Sequence, residues 1–347
     1  DTEGNYLFDC WLGSGSLLFG HQKIPFQNTT KMLPEGSIVL NENINLIKEL
    51  VDFKVGSIGL QTSGSSAITR ACRVARAITN KRLIALIGDF WHGSDDEFLF
   101  KRKYDFISDG LAIQPAQNYI WFESIESFLL STNLEEFAGL LIEPSQGSDP
   151  NKNIINDLLD IKIRTMIRDL NIVLIFDEII TGCRDCYGSS IDSRRCNPDI
   201  VVFGKAIGGG YPIGLVLVNN IYTERIQKKN IFWGGTFAAN PAQIELLIRQ
   251  LLKLKELDFK EISENLDNIC DYLLNTVKIK NIGFTISKGR GFARVLPIEQ
   301  GKQASRGFLN RETKAELELS YTCREKNIYL PKNRLVFAST FNIKDLL

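Results

Sequence analysis

The chain has 347 residues, 44% hydrophobic and 24% charged, with 41 basic and 41 acidic side chains and a pI near 6.9. That length suits about two domains with a core each, and the balanced charge excludes nucleic-acid or membrane-surface binding driven by bulk electrostatics. No apolar run reaches the ~18 residues of a membrane span, and Asp1-Thr2-Glu3-Gly4-Asn5 lacks the basic and apolar regions of a secretion signal. The start on aspartate rather than methionine suggests a trimmed or partial chain. Seven scattered cysteines, an odd number, point to a reduced, cytoplasmic setting rather than a disulfide framework.

In chain order, Gly13-Ser14-Gly15-Ser16-Leu17-Leu18-Phe19-Gly20 is glycine-rich, yet its third glycine is misplaced for a G-x-G-x-x-G loop and no βαβ unit surrounds it. Ser65 to Ile78, rich in alanine and arginine, predicts a helix. Short apolar runs follow at residues 83–87, 119–122, 139–142, 172–176, 200–203 and 215–218, with another helix predicted over 153–169. Several runs are continuously apolar, as parallel strands covered on both faces are. This order predicts a doubly wound, mainly parallel α/β sheet spanning roughly residues 50–240. Asn240-Pro241 then starts a helix with the stripe Ile244, Leu247, Ile248, Leu251 and Leu252. A second helix carries Phe259, Ile262, Leu266, Ile269, Leu273, Leu274 and Val277 at the same period. From Ile282 onward, strand-like pieces and a charged helix near residues 311–326 predict a smaller α+β domain, completed by the N-terminal segment. The expected division is 1–49, 50–240 and 241–347.

Several stretches carry candidate chemistry. Thr62-Ser63-Gly64-Ser65-Ser66-Ala67 opens the first helix, where small residues let backbone N–H groups approach an anion and the helix terminus adds roughly half a positive charge. The same residues also suit an ordinary N-cap by Ser63 or Ser65. Phe90-Trp91-His92-Gly93 follows a strand, and ligands in open α/β sheets lie beyond the strands' carboxyl ends. The indole there either stacks on a planar ring, with His92 near its polar edge, or packs under a loop. The run 172–176 ends on Asp177 and Glu178, and a carboxylate at the mouth of a core is costly unless a cation meets it. The next such run, 199–203, ends on Gly204-Lys205 with Gly208-Gly209-Gly210 behind it. Desolvation lowers the pKa of a lysine in such surroundings and makes it a usable amine nucleophile. Asp177 and Lys205 either pair directly or grip one cofactor between them. Cys183-Arg184-Asp185-Cys186 has C-x-x-C spacing, but a zinc site needs a second pair or a nearby histidine, and only His21 and His92 exist. Loop cysteines are the simpler reading.

Asp177-Glu178-Ile179-Ile180-Thr181-Gly182, followed by Gly204-Lys205-Ala206-Ile207-Gly208-Gly209-Gly210-Tyr211-Pro212-Ile213-Gly214, resembles the class III (subgroup II) pyridoxal-phosphate aminotransferases. Gly235-Thr236-Phe237-Ala238-Ala239-Asn240-Pro241, Ser63-Gly64-Ser65, Trp91-His92-Gly93 and Glu143-Pro144-Ser145-Gln146-Gly147 are similar to further family blocks. The stretch after Asp177 looks most like the glutamate-1-semialdehyde aminomutase branch. The resemblance runs from Gly4 to about Ala338, more loosely after residue 280.

That resemblance implies the fold type I architecture and pyridoxal 5'-phosphate as cofactor. It makes Lys205 the Schiff-base lysine and proton shuttle, and Asp177 the partner of the ring nitrogen, a partner that is not protein. Trp91 and Ile179 are implied to cover the two ring faces, with His92 beside the ring. Ser63, Gly64 and Ser65 are implied to hold the phosphate, and Glu143 to lie near the substrate or the ring hydroxyl. Thr236 is implied to reach the neighbouring subunit's cofactor, hence a homodimer with shared active sites. Against the family pattern, the N-terminal segment that helps bind substrate carboxylate is missing ahead of Gly4, Ser66 stands where glutamate is common, and Ser148 where aminomutases have asparagine. The stretch 329–334 is short and basic where aminomutases place an acid. The reading is therefore an aminotransferase carrying an amino group from an amino acid, glutamate, to a carbonyl acceptor such as a keto-sugar or small aldehyde. An intramolecular aminomutase comes second, and a non-catalytic binding protein on the same fold third.

Overall fold

The computed structural model describes residues 6–21, 41, 43–101, 105–106, 110–111, 117–151, 154–277, 283–299, 302–303 and 314–346. The first strand, β1 (Phe8–Asp9), pairs in parallel with Ile328–Tyr329 and so ties the two ends of the chain together. A seven-stranded sheet forms the middle, built from β2 (Val55–Gln61), β3 (Leu83–Ile87), β4 (Tyr119–Phe122), β5 (Phe137–Ile142), β6 (Val173–Asp177), β7 (Ile200–Phe203) and β8 (Gly214–Asn219). Its spatial order is β2-β8-β7-β6-β5-β3-β4. The strands from β7 to β4 run parallel, and β8 is antiparallel to both β7 and β2. This is the doubly wound, mainly parallel sheet that the continuous apolar runs predict.

Those runs are apolar throughout because alternate residues serve two cores. Leu140, Ile142, Leu174, Phe176, Val201 and Phe203 face one layer. Leu141, Val173, Ile175, Ile200 and Val202 face the other, against Ala67, Ile68, Ala71, Val74, Ala75 and Ile78 of helix α1 (Gly64–Thr79). After β8 come α2 (Pro241–Lys255) and α3 (Phe259–Thr276), started by Asn240 and Asp258, whose side chains accept from Gln243 N–H and from Lys260 N–H. A smaller antiparallel sheet joins β9 (Gly283–Lys288), β10 (Phe292–Glu299) and Leu335–Phe337. The charged C-terminal helix spans Lys314–Glu325, and residues 311–313 of the predicted span lie outside the described residues.

Two expectations change. The single helix expected over 153–169 is a 3-10 turn at Ile154–Leu159 and an α-helix at Ile161–Asp169; Asp160 accepts from Lys162 N–H and so starts a new helix mid-run. Strand β2 did not register as an apolar run, because Gly56, Ser57 and Gly59 dilute it. Contact explains the glycines: a Cβ on Gly56 would meet Thr223 Oγ1 at 2.3 Å and Asn220 Cα at 2.5 Å, and one on Gly59 would meet the Trp233 ring at 2.7 Å. The seven cysteines are free, and no cluster of three or more potential metal ligands occurs among the described residues. No described helix is long and apolar enough to cross a membrane.

Candidate active site

The parallel strands deliver their C-terminal loops to one edge of the sheet. β3 leads into Trp91-His92-Gly93, β5 into Glu143, β6 ends on Asp177, and β7 leads into Gly204-Lys205. Helix α1 brings its N-terminus to the same edge. Ser63 caps it, accepting from Ser66 N–H at 3.1 Å while Ser66 Oγ accepts from Ser63 N–H at 3.2 Å. A serine thus fills the place in the capping box where glutamate is common. The cap uses the Ser66 N–H and the Ser63 hydroxyl and does not itself engage the N–H groups of Gly64 and Ser65.

Glycines set the spacing at this edge. A Cβ on Gly64 would come within 2.8 Å of Ile179 Cδ1, and one on Gly204 within 3.2 Å of Ile179 Cγ2. Ile179 is therefore held between the helix start and the lysine loop. Gly93 approaches Ser65 closely enough that a Cβ would lie 2.4 Å from its Oγ, and Ser94 N–H donates to that Oγ at 3.1 Å. Thus Ser63, Gly64, Ser65, Ile179 and the lysine loop form one compact group.

Asp177 is 3% exposed. Its Oδ1 accepts from Ile179 N–H at 3.0 Å, and its Oδ2 lies 2.8 Å from His92 Nδ1. The expectation that Asp177 has no protein partner is therefore corrected. His92 is wholly buried and stacked on Phe90 with ring centroids 4.7 Å apart. Its Nε2 has no hydrogen-bond partner among the described residues. Glu143 is equally buried and accepts from Trp91 N–H at 3.1 Å and Gly147 N–H at 3.4 Å. Burial and the Asp177 charge hold its carboxyl well above the usual range, against the pull of those N–H groups and of Lys205.

Lys205 is half-buried at φ +45°, a left-handed conformation that costs a side-chain-bearing residue about 1–3 kcal/mol and recurs at functional sites. Burial pushes its amine down to about 8, while Asp177 and Glu143 pull it upward. Among the described residues no ion pair joins Lys205 to Asp177, so the direct salt bridge is not found. Thr236 lies apart from this group, in an exposed strip beside Phe232 and Phe237. The sequence reading named Glu178 and Arg184 but gave neither a role of its own. Glu178 is wholly buried, accepting from Thr181 Oγ and from Ser190 N–H and Oγ at 3.1 and 3.0 Å, and burial pushes it up to about 7. The one sequence signal for Arg184 is a lone arginine in a loop of small residues.

Residues 1–315 match the family described as aminotransferase class-III. The chain belongs to that family. This class III aminotransferase is 25% identical to the glutamate-1-semialdehyde 2,1-aminomutase of Methanosphaera stadtmanae over 99% of its own length and 85% of the relative's. A transaminase solved with pyridoxal phosphate bound shares its fold, with TM-score 0.81 and 19% identity over 100% of this chain and 85% of that one. So does an omega-transaminase from Sphaerobacter thermophilus, with TM-score 0.80 and 20% identity over 98% and 84%. The cofactor of the class III enzyme is pyridoxal 5'-phosphate, and the residues present fit it. The edge offers a helix N-terminus free of side-chain bulk at Gly64, a buried carboxylate at Asp177, and an amine without an ion-pair partner at Lys205.

Proposed function

We propose that this enzyme transfers an amino group from an amino acid, glutamate, to a carbonyl acceptor of the keto-sugar or small-aldehyde class. The observation that carries the reading is the Lys205 amine, half-buried and drawn by two carboxylates without pairing to either. When bound, pyridoxal phosphate supplies a carbonyl for that amine and an electron-accepting ring. The chain does the rest. Backbone N–H groups of Gly64 and Ser65 hold the phosphate at the start of the 16-residue helix α1. Asp177, itself oriented by His92 and Ile179 N–H, stabilises a proton on the ring nitrogen. Ile179 and Trp91 bound the ring and keep water from it. Glu143, biased toward its neutral form, offers a hydrogen bond to the ring hydroxyl or the substrate. Lys205 Nζ, its pKa lowered by burial to about 8 so that more of it is free amine than an ordinary lysine offers, takes and returns the proton at the substrate carbon.

Transfer between two substrates is favoured over intramolecular migration by the C-terminal stretch. The stretch 329–334 is short and basic where aminomutases tend to place an acid, and its Arg334 is buried and bonds Glu316 at 2.6 Å. The names of relatives such as the Methanosphaera protein favour the second reading, an aminomutase. The proposed enzyme is a homodimer in a reduced cytoplasmic setting, with a large sheet domain over 50–240, a small domain over 241–347, and Thr236 serving the partner's site.

Purified protein loaded with pyridoxal phosphate and freed of excess is expected to be yellow with an aldimine band, and that band to vanish in Lys205→Ala. With glutamate and a panel of carbonyl acceptors, 2-oxoglutarate formation should depend on the acceptor. Turnover of an amino-aldehyde with neither glutamate nor 2-oxoglutarate present would reverse the order of the two readings.

A further inference from the structure

The loop after Asp177 carries a cation that the reading above leaves unused. Arg184 is 0% exposed, and no carboxylate bonds it among the described residues. Its Nε donates to Ile180 O at 3.1 Å, its Nη2 donates to Gly15 O, and its guanidinium carbon stands 5.2 Å from the centre of the Phe337 ring. Nη1 has no partner. A guanidinium so placed, amid Leu12, Ile180, Phe292 and Phe337, is kept charged at a cost unless the position serves a purpose.

Both carbonyls it grips belong to segments that lie on the lysine loop. Ile180 follows Ile179, which packs on Gly204. Gly15 closes a turn in which Leu12, Gly13, Ser14 and Gly15 are all left-handed, at φ +49°, +57°, +57° and +81°. Such a run is unfavourable for L-residues and needs an outside hold. The turn packs on residues 205–208, and Leu17 just beyond it sits so close to Gly210 that a Cβ there would lie 2.7 Å away. The site is built around the arginine: a Cβ on Gly15 would strike Phe337 at 2.5 Å, and one on Gly291 would strike Arg184 Cβ at 2.4 Å.

We propose that Arg184 is a positioning residue for the reaction at Lys205: a buried guanidinium that, through Ile180 O and Gly15 O, braces the turn 12–15 against the lysine loop. The charges that reach this amine are Asp177, Glu143 and Arg184; the two carboxylates favour its protonation and Arg184 alone joins burial in opposing it. The thiol of neighbouring Cys183, pushed up to about 12 by burial, adds no charge at neutral pH. The inference rests on Lys205 being the reactive amine.

The test uses cofactor-free protein. The pH dependence of Lys205 labelling by fluorodinitrobenzene, read by peptide mass spectrometry, gives the amine's apparent pKa. R184Q, which keeps hydrogen-bonding capacity without charge, is expected to raise that pKa and so to leave less free amine than the parent at a fixed lower pH; R184M serves where R184Q does not fold. R184K, which keeps the charge, should stay close to the parent. An unchanged pKa in the uncharged variant, or equal shifts in R184K and R184Q, would overturn the proposal. Failure of the parent to turn yellow with pyridoxal phosphate would count against the proposed function, while the labelling comparison would still read out Arg184.

Discussion

At the scale of single residues, the site is a set of buried charges with incomplete compensation. Asp177 and His92 are 85 residues apart in the chain and touch only because β3 and β6 release their loops at one edge. Nothing periodic marks such a contact, so the pairing was invisible in the sequence even though both residues could be singled out by type. Glu178 shows the same limit: it reads as the second half of an acidic pair at a strand end, and only the fold reveals Thr181 and Ser190 closing over it. Its raised carboxyl has a stability consequence of definite sign. An ordinary glutamate ionises near 4.5, whereas Glu178 holds its proton up to about 7. Between those values the unfolded chain binds fewer protons than the folded one, so stability present at pH 4.5 is lost as pH rises to 7. The loss is about 2–3 kcal/mol at most. Glu178→Gln should remove this slope, so that wild type loses stability relative to the variant between pH 5 and 7.5 in urea titrations. Parallel profiles would refute the assignment.

At the scale of elements, the sequence was informative where burial is symmetric and poor where backbones approach closely. Strands β3, β5, β6 and β7 are covered on both faces, and their uninterrupted apolar runs say so. The signal fails for β2, because closeness to Asn220 and Trp233 requires glycine where a strand search looks for valine. The helix over 161–169 was legible as a period, but its start was not, since Asp160 acts as a cap only once the preceding turn has formed. The glycines of β2 can be tested directly. Gly56→Ala places a methyl 2.5 Å from backbone at Asn220 Cα, and overpacking of this kind costs about 1–3 kcal/mol. Gly283→Ala meets nothing closer than 3.5 Å and should shift the urea midpoint little. Equal midpoints for the two variants would mean that β2 relaxes freely.

At the scale of the whole molecule, the strip from residue 231 to 237 decides whether one chain suffices. Its main chain is fixed from within. Arg70 donates to Phe232 O and Gly234 O at 2.8 Å each, Arg73 donates to Phe232 O at 3.2 Å, and Gln61 donates to Trp233 O at 2.6 Å. Held this way, the strip presents Phe232 and Phe237 outward, 65% and 69% exposed, with Thr236 between them. Two phenylalanines on a rigid support beside exposed Thr236 suit contact with a second copy better than contact with water. In a two-fold dimer four such rings are buried, at about 1.5–3 kcal/mol each. Phe232→Ser with Phe237→Ser should therefore weaken association by several powers of ten and yield a monomer in sedimentation velocity. Under the proposed role of Thr236 at the partner's site, the monomer should also bind pyridoxal phosphate more weakly. A double variant that sediments as the parent does, or a parent that is itself monomeric, removes the shared site, and with it the reason for Thr236 to stand where it does.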